Sequence, residues 1–500
     1  MNAETTNSPD RPKARLGRPR SRALCASLLC ALSACSTDSG EAGPDEPRVV
    51  VLMVLDTLGA GHVSHLGYDR LTTPRIDALA ADGVSFEQAI APASYTVASI
   101  PSLLTGRLPD RHGLTWYDSR LPQSEETIAE LYRERGYSTF AAMAVFNGSP
   151  KYGTDQGFEE VRSVWVGPGG PEAIRMESRG ETVHMPDADE VMEIARERIE
   201  ALESGEKLFL YLHFLQPHGP YYSPLEYRQH FSDERYPGPY VDGECAEIKQ
   251  RTFKEGPTEK IRQAFCHIYD ASILWVDTNV GGVLDTLRER DLYENALVAV
   301  TADHGESFWE HGHLGHGKHL YEEYVRVPMV VKLPGPNRPR GLRVPAMVSL
   351  MDLVPSLCDW SGLRRPVGEL DGRSLDPFLS APDGPSLHES LLLRGQQDVG
   401  IFALRFPRAK VVVVLGEDEG DGRPIERTEL YDLLADEKEL KNRTTRDRAG
   451  ALRGARLIVE QLEALEALEK TAATEHDEIG EAERAMLDAL GYVDSGEEDE

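Results

Sequence analysis

The sequence predicts an α/β fold, a largely parallel sheet with helices on both faces, followed by a small C-terminal α+β subdomain. Three observations carry this. Apolar runs of strand length alternate with helical segments between Arg48 and Ala302. Two of those runs end in acidic residues, Asp56 and Asp303, at the carboxyl ends where such sheets bind ligands. From about Leu391 the pattern changes to short β runs and one last helix.

Taken in order, the first segment is an address. Arg11, Lys13, Arg15, Arg18, Arg20 and Arg22 precede a twelve-residue apolar run, Ala23 to Ala34, too short to span a bilayer. It reads as a secretion signal. Its end, Leu32-Ser33-Ala34-Cys35, resembles the lipobox of bacterial lipoproteins, in which the cysteine is diacylated and becomes the new N-terminus. The alternative is an ordinary signal with an incidental cysteine. Residues 35–47, rich in Ser, Gly, Glu, Asp and Pro, then form a flexible tether. The expected location is the cell envelope outside the cytoplasm, on the periplasmic or outer-membrane face, with the membrane reached through the lipid on Cys35.

Arg48 to Leu55 is a Val/Leu/Met run that reads as a buried strand. A short helix is predicted at Pro74 to Asp82. Another follows Ser124, which is read as its cap, and ends at Gly136 before a strand from Tyr137 to Phe146. Helix Asp189 to Glu203, strand Leu208 to Phe214, a long helix from Glu259 to about Arg290 and strand Ala296 to Ala302 complete a catalytic region placed at 48–385. The C-terminal subdomain, 386–475, holds strands at Gly400 to Leu404 and Ala409 to Leu415 and a helix from about Ala449 to Ala467. Residues 476–500 end in an acidic tail.

A formal net charge of -30, from 84 acidic against 54 basic residues, excludes nucleic acid as a natural partner. Residues 1–34 carry six basic and two acidic groups, so cleavage leaves an even more acidic chain, at -34. Such a surface is repelled by anionic lipid, and acyl chains must do the anchoring. Cys245 and Cys266 flank a polar, Lys/Glu-rich stretch and either pair or stay free outside the cytoplasm. No cysteine spacing fits a zinc site.

The chemistry lies in one constellation: Asp56 after the first strand, Thr96 ahead of the helical segment Ser99 to Thr105, and Asp303-His304 after a later strand. Two carboxylates, an imidazole and a hydroxyl suit one divalent ion, Ca, Mg, Mn or Zn. Such an ion would lower the pKa of the Thr96 hydroxyl and make it a nucleophile. A helix N-terminus beside it favours an oxyanion. The bland reading of Thr96 is an N-cap, and of Asp56 a turn residue.

Several stretches together resemble the sulfatase family of the alkaline-phosphatase superfamily. They are Val51 to Asp56, Tyr68 to Ala80, Leu103-Leu104-Thr105-Gly106-Arg107-Leu108-Pro109, Leu212 to Tyr221, Thr301 to Glu306, Gly315 to Pro328, Leu350 to Ser374 and Glu429 to Leu433. They occur in the family's order over about residues 48 to 450. The resemblance implies an alkaline-phosphatase-like fold and a hydrolase of sulfate or phosphate esters. It also implies a sulfated or phosphorylated small molecule or glycan as substrate.

This chain departs from the family pattern at the nucleophile. Sulfatases carry Cys or Ser, matured to formylglycine, in a Cys/Ser-x-Pro-x-Arg signature. Counting back from Leu103 puts Thr96 there, with Ala98 and Ile100 in place of Pro and Arg. Oxidising a secondary alcohol gives a ketone, so threonine cannot become formylglycine. The second Asp after the first strand is replaced by Thr57. What remains resembles the single-metal site of phosphoryl-transferring relatives, and no Asp is followed four residues on by His, the local pattern of two-metal relatives.

His218 reads as an oxyanion donor or leaving-group acid, or else a loop histidine. His316 and Lys318 flank the position where sulfatases place an anion-binding Lys, and His316 is the preferred choice. Arg107 and His112 read as structural. Two other functions stay open: a phosphoryl-group transferase acting on envelope glycans or lipids, and a non-catalytic binding lipoprotein.

Overall fold

Every residue of strand β1 (Val49–Leu55) is buried, as a parallel strand covered on both faces requires. The computed structural model describes residues 46–164, 175–178, 181–184, 187–231, 256–396, 399–416 and 423–469. In it β1 lies inside an eight-stranded sheet. The other strands are β2 (Val84–Ile90), β3 (Ser138–Met143), β4 (Glu160–Ser163), β5 (Leu208–Phe214), β6 (Ala296–Thr301), β7 (Arg326–Lys332) and β8 (Leu342–Ser349). Their order is β8-β2-β7-β6-β1-β5-β3-β4. Only β7 opposes its neighbours, β2 and β6; the remaining pairs are parallel. The carboxyl ends of β1, β3, β5 and β6 therefore open on one edge.

Two helical layers cover this sheet. On one side α1 (Pro74–Ala81) and α4 (Ala188–Glu200) pack on the long α5 (Glu259–Glu289); on the other, α2 (Thr96–Thr105) packs against α3 (Ile128–Glu134) and α6 (Leu353–Ser361). Asp277 of α5 accepts hydrogen bonds from the first-turn N–H groups of Arg75 (2.8 Å) and Ile76 (2.9 Å), capping α1 from a neighbouring helix.

Some boundaries differ from the sequence expectation. The cap of α3 is Thr127, not Ser124: Thr127 and Glu130 form a reciprocal capping box, and Ser124 has no acidic residue or Gln three positions on. Strand β3 stops at Met143, and Phe146–Gly148 forms a short 3-10 turn. Helix α2 starts at Thr96 rather than Ser99, with Tyr95 as its cap residue. Thr96 is thus not an N-cap. Cys266 carries a free thiol, and Cys245 lies outside the described residues, as do residues 1–45 with Cys35 and the tail 476–500.

The C-terminal part is a four-stranded antiparallel sheet, β9 (Leu391–Arg394), β10 (Ile401–Phe406), β11 (Ala409–Leu415) and β12 (Ile425–Asp432), with helix α7 (Arg448–Glu469). Alternation along β11 splits its side chains. Val411, Val413 and Leu415 pack with Ile458 and Leu462 of α7, whereas Val412 packs with Leu320, Tyr324 and Val325 of the larger domain. The fully buried Lys410 reaches Glu322 (2.8 Å) across the same junction and Glu439 (2.9 Å) within its own subdomain. Strand β9 also pins the loop that leads into α2, through Arg394 N–H to Pro92 O (3.0 Å) and Ser94 N–H to Arg394 O (3.2 Å). Among the described residues no helix is long and apolar enough to cross a membrane.

Candidate active site

Asp56 and Asp303 stand one residue and two residues past the ends of the adjacent parallel strands β1 and β6. One ligand atom each from Asp56, Asp303 and His304 lie within 4.8 Å of one another. His304 Nε2 is 3.4 Å from Asp303 Oδ2, 3.9 Å from Asp56 Oδ1 and 3.2 Å from Thr96 Oγ1. All four residues are fully buried. The sequence-predicted quartet is therefore one cluster in space.

Its electrostatics call for a cation. Both carboxylate oxygens of Asp56 and Oδ2 of Asp303 are buried with no hydrogen-bond partner among the described residues, a costly arrangement for two acids. Burial, and then the charges of Asp303 and Glu306, push Asp56 well above the usual carboxylate range. Burial also works to raise Asp303, but His304, His213 and the hydrogen bonds it accepts together hold that acid below its usual value. Asp303 Oδ1 is occupied by the N–H groups of Thr57 (3.1 Å) and His304 (2.9 Å). His304 Nδ1 lies 3.0 Å from the Gly305 carbonyl, which only accepts, so Nδ1 carries the proton and Nε2 presents its lone pair to the cluster. These donors fit a divalent ion.

Local structure aims Thr96 at this point. It is the first residue of α2, and Tyr95 offers the helix no side-chain cap, so the positive end of the helix dipole is directed at the hydroxyl's surroundings. Ser99 Oγ donates to Asp303 O (2.6 Å), and Ser94 Oγ to Gly317 O (3.1 Å). A Cβ at Gly305 would stand 2.1 Å from Glu323 O, so the turn after His304 needs glycine.

Of the remaining predicted residues, two join the cluster. The His316 ring is centred 4.6 Å from that of His304 and 5.0 Å from that of His218. His218 is buried, and its Nδ1 donates to Gly219 O (2.7 Å), so neutral His218 presents a lone pair at Nε2. Burial and then His316 pull its pKa down to about 3. Lys318, by contrast, is exposed, and its charge bears on His319. Arg107 pairs with Glu125 (2.9 Å), and His112 bonds Ser102 Oγ (3.0 Å) and the Leu114 N–H (3.1 Å). Both are framework residues.

Sequence reasoning passed over three others. Glu306, buried, approaches His316 Nδ1 at 3.1 Å, and the fourth position of Asp-His-Gly-Glu was the available signal. His213 in β5 is buried, with Nε2 unpartnered among the described residues and a pKa lowered by burial to about 4. Asn147 is fully buried, and neither polar atom of its side chain has a partner among the described residues. Nothing local in the sequence marks it.

A match to the sulfatase family spans residues 48–363. The chain belongs to the sulfatase family. This sulfatase-family chain is 25% identical over 442 residues to the "Ulvan-active sulfatase" of Formosa agariphila, covering 85% of itself and 82% of that protein. Among solved structures, a protein in complex with its substrate D-glucosamine-2-N,6-O-disulfate superposes with a TM-score of 0.66 at 18% identity, over 84% of this chain and 98% of that one. The phosphonate monoester hydrolase of Agrobacterium radiobacter superposes with a TM-score of 0.64 at 23% identity, over 87% and 98%. The sulfatase-family fold expected from the sequence is thus the observed one, and the chain is a hydrolase of ester bonds.

Proposed function

We propose that this enzyme cleaves a sulfate or phosphate ester with Thr96 as nucleophile, its hydroxyl 3.2 Å from His304 Nε2 and beside two buried carboxylates carrying the reading. Asp56, Asp303, His304 and Thr96 would hold one divalent ion, Ca, Mg, Mn or Zn, which when bound lowers the pKa of the hydroxyl and neutralises the paired acids. With its proton released to solvent, Thr96 Oγ1 forms the new bond to sulfur or phosphorus while the bond to the ester oxygen breaks. His316, whose Nδ1 proton is held by the Glu306 carboxylate, gives a second proton, on Nε2, to the departing oxygen and regains one there from the water that resolves the adduct. His218, whose Nδ1 donates to Gly219 O, lines the site beside His316. Lys318, exposed on the same loop, is proposed to bind the anionic group of the substrate.

The substrate proposed is a sulfated or phosphorylated glycan or small molecule. Support for sulfate comes from the sulfatase relatives, and for phosphorus from the phosphonate monoester hydrolase and from an alkoxide nucleophile. A second reading, transfer of a phosphoryl group to an envelope glycan or lipid, is favoured by the threonine itself. The cell-envelope location and the lipid anchor on Cys35, with residues 35–47 as tether, are part of the same proposal, as is the absence of nucleic acid among its partners. A panel of aryl sulfate, phosphate and phosphodiester substrates, run with each of the four ions and with an alcohol acceptor, tests it: turnover to free acid supports hydrolysis, and an acceptor-bound product supports transfer.

A further inference from the structure

Thr57, the residue after Asp56, has a backbone φ of 64°, the left-handed region that a β-branched residue rarely enters. Its N–H donates to Asp303 Oδ1 (3.1 Å), which leaves Oδ2 for the metal cluster. Its carbonyl, on the other side, accepts from the hydroxyl of Tyr269 (2.6 Å). The same Tyr269 oxygen accepts from the Gly59 N–H (3.0 Å). One phenol thus bridges both ends of the strained turn, with its single proton and a lone pair each used. Tyr269 comes from α5, is fully buried, and has its ring held edge-on between His62 (4.9 Å) and Tyr221 (5.9 Å).

We propose that Tyr269 is a positioning residue of the metal centre, holding the Thr57 turn in its left-handed form and thereby fixing which oxygen of Asp303 faces the ion. The inference rests on the metal reading of the Asp56, Asp303 and His304 cluster. Among the described residues no hydrogen bond joins Tyr269 to any of the three; it acts through the Thr57 peptide, as outer residues orient metal ligands elsewhere.

The test uses the full chain and Mn²⁺ alone, with affinity measured by equilibrium dialysis and folding checked by circular dichroism. Tyr269→Phe keeps the ring and its packing but loses both hydrogen bonds; it should bind Mn²⁺ about 10- to 100-fold more weakly than wild type. Tyr68→Phe removes a different tyrosine's bond to α5, the one to Asp270 Oδ2 (2.8 Å), and should leave affinity unchanged. Adding Thr57→Gly to Tyr269→Phe should restore much of the loss, because glycine adopts a positive φ without help. Unchanged affinity in Tyr269→Phe, equal weakening in Tyr68→Phe, or no rescue by Thr57→Gly overturns the proposal alone. Wild type that binds no Mn²⁺ overturns the metal reading and this inference with it.

Discussion

Ser99 Oγ donates to the main-chain oxygen of Asp303 at 2.6 Å, joining the first turn of α2 to a residue two positions past the end of β6. The helix that carries Thr96 is thereby keyed to the strand end that carries two metal-ligand candidates. Ser99→Ala leaves that buried carbonyl unpaired, at a cost of about 1–3 kcal/mol in stability. A sub-ångström drift of Thr96 should follow, lowering kcat by up to about 100-fold with KM little changed. Steady-state kinetics on the best aryl ester, with urea unfolding beside them, read both effects; unaltered kcat would show that the link positions nothing.

Asp56→Asn should abolish turnover without unfolding the chain. The sign follows from the raised acid: a carboxyl whose folded pKa lies above its unfolded value stabilises the fold at low pH, and that contribution is lost as pH rises. At neutral pH the metal-free wild type therefore bears the cost of the Asp56 charge, and the asparagine relieves it. In metal-free buffer the variant should melt at or above wild type. Added ion should raise Tm in wild type only, by the equivalent of about 2.7 kcal/mol at a hundredfold excess over Kd. A variant that still gains from the ion would remove Asp56 from the site.

His112 gives a separate pH test. Its Nδ1 accepts from the Leu114 N–H, its Nε2–H donates to Ser102 Oγ, and burial lowers its pKa to about 3. The folded state thus keeps this imidazole neutral while the unfolded chain protonates it below about pH 6.5. Stability is present above that pH and is lost as pH falls toward the folded value, at up to about 1.4 kcal/mol per pH unit from this group. Urea midpoints followed from about pH 7 to pH 5 should fall less steeply for His112→Gln than for wild type. Parallel slopes would mean that the folded protein protonates His112 freely.

Cys35→Ser should move the enzyme from the membrane pellet to the soluble fraction, because a lipid on Cys35 is the proposed anchor. Retention in the pellet would set the lipobox reading aside.

Much of this was legible residue by residue. Strands at Leu208–Phe214 and Ala409–Leu415 have the bounds their apolar runs imply, and Asp56, Thr96, Asp303 and His304 come together as their motifs indicated. The start of α3 was misplaced because the Thr127 and Glu130 box outcompetes Ser124 as a cap. His316 and Lys318 sit two positions apart, and only a folded loop decides that one ring meets His304 while the other side chain reaches solvent. Thr57 and Tyr269 are 212 residues apart, so neither the left-handed turn nor its support leaves a local trace. Asn147 was invisible for the same reason, its burial being a property of how β3 ends against β5.

The central claim is that Thr96 attacks the ester and carries the group transiently. Intact and peptide mass spectrometry after brief turnover tests it most directly, in a host without formylglycine-generating activity. An adduct of about 80 Da, the mass of a phosphoryl or sulfuryl group, is expected on the peptide and residue Thr96. Thr96→Ala should lose both the adduct and activity, and Thr96→Ser should keep substantial activity. The same adduct on Ser94, Ser99 or Ser102, or full activity in Thr96→Ala, would contradict it.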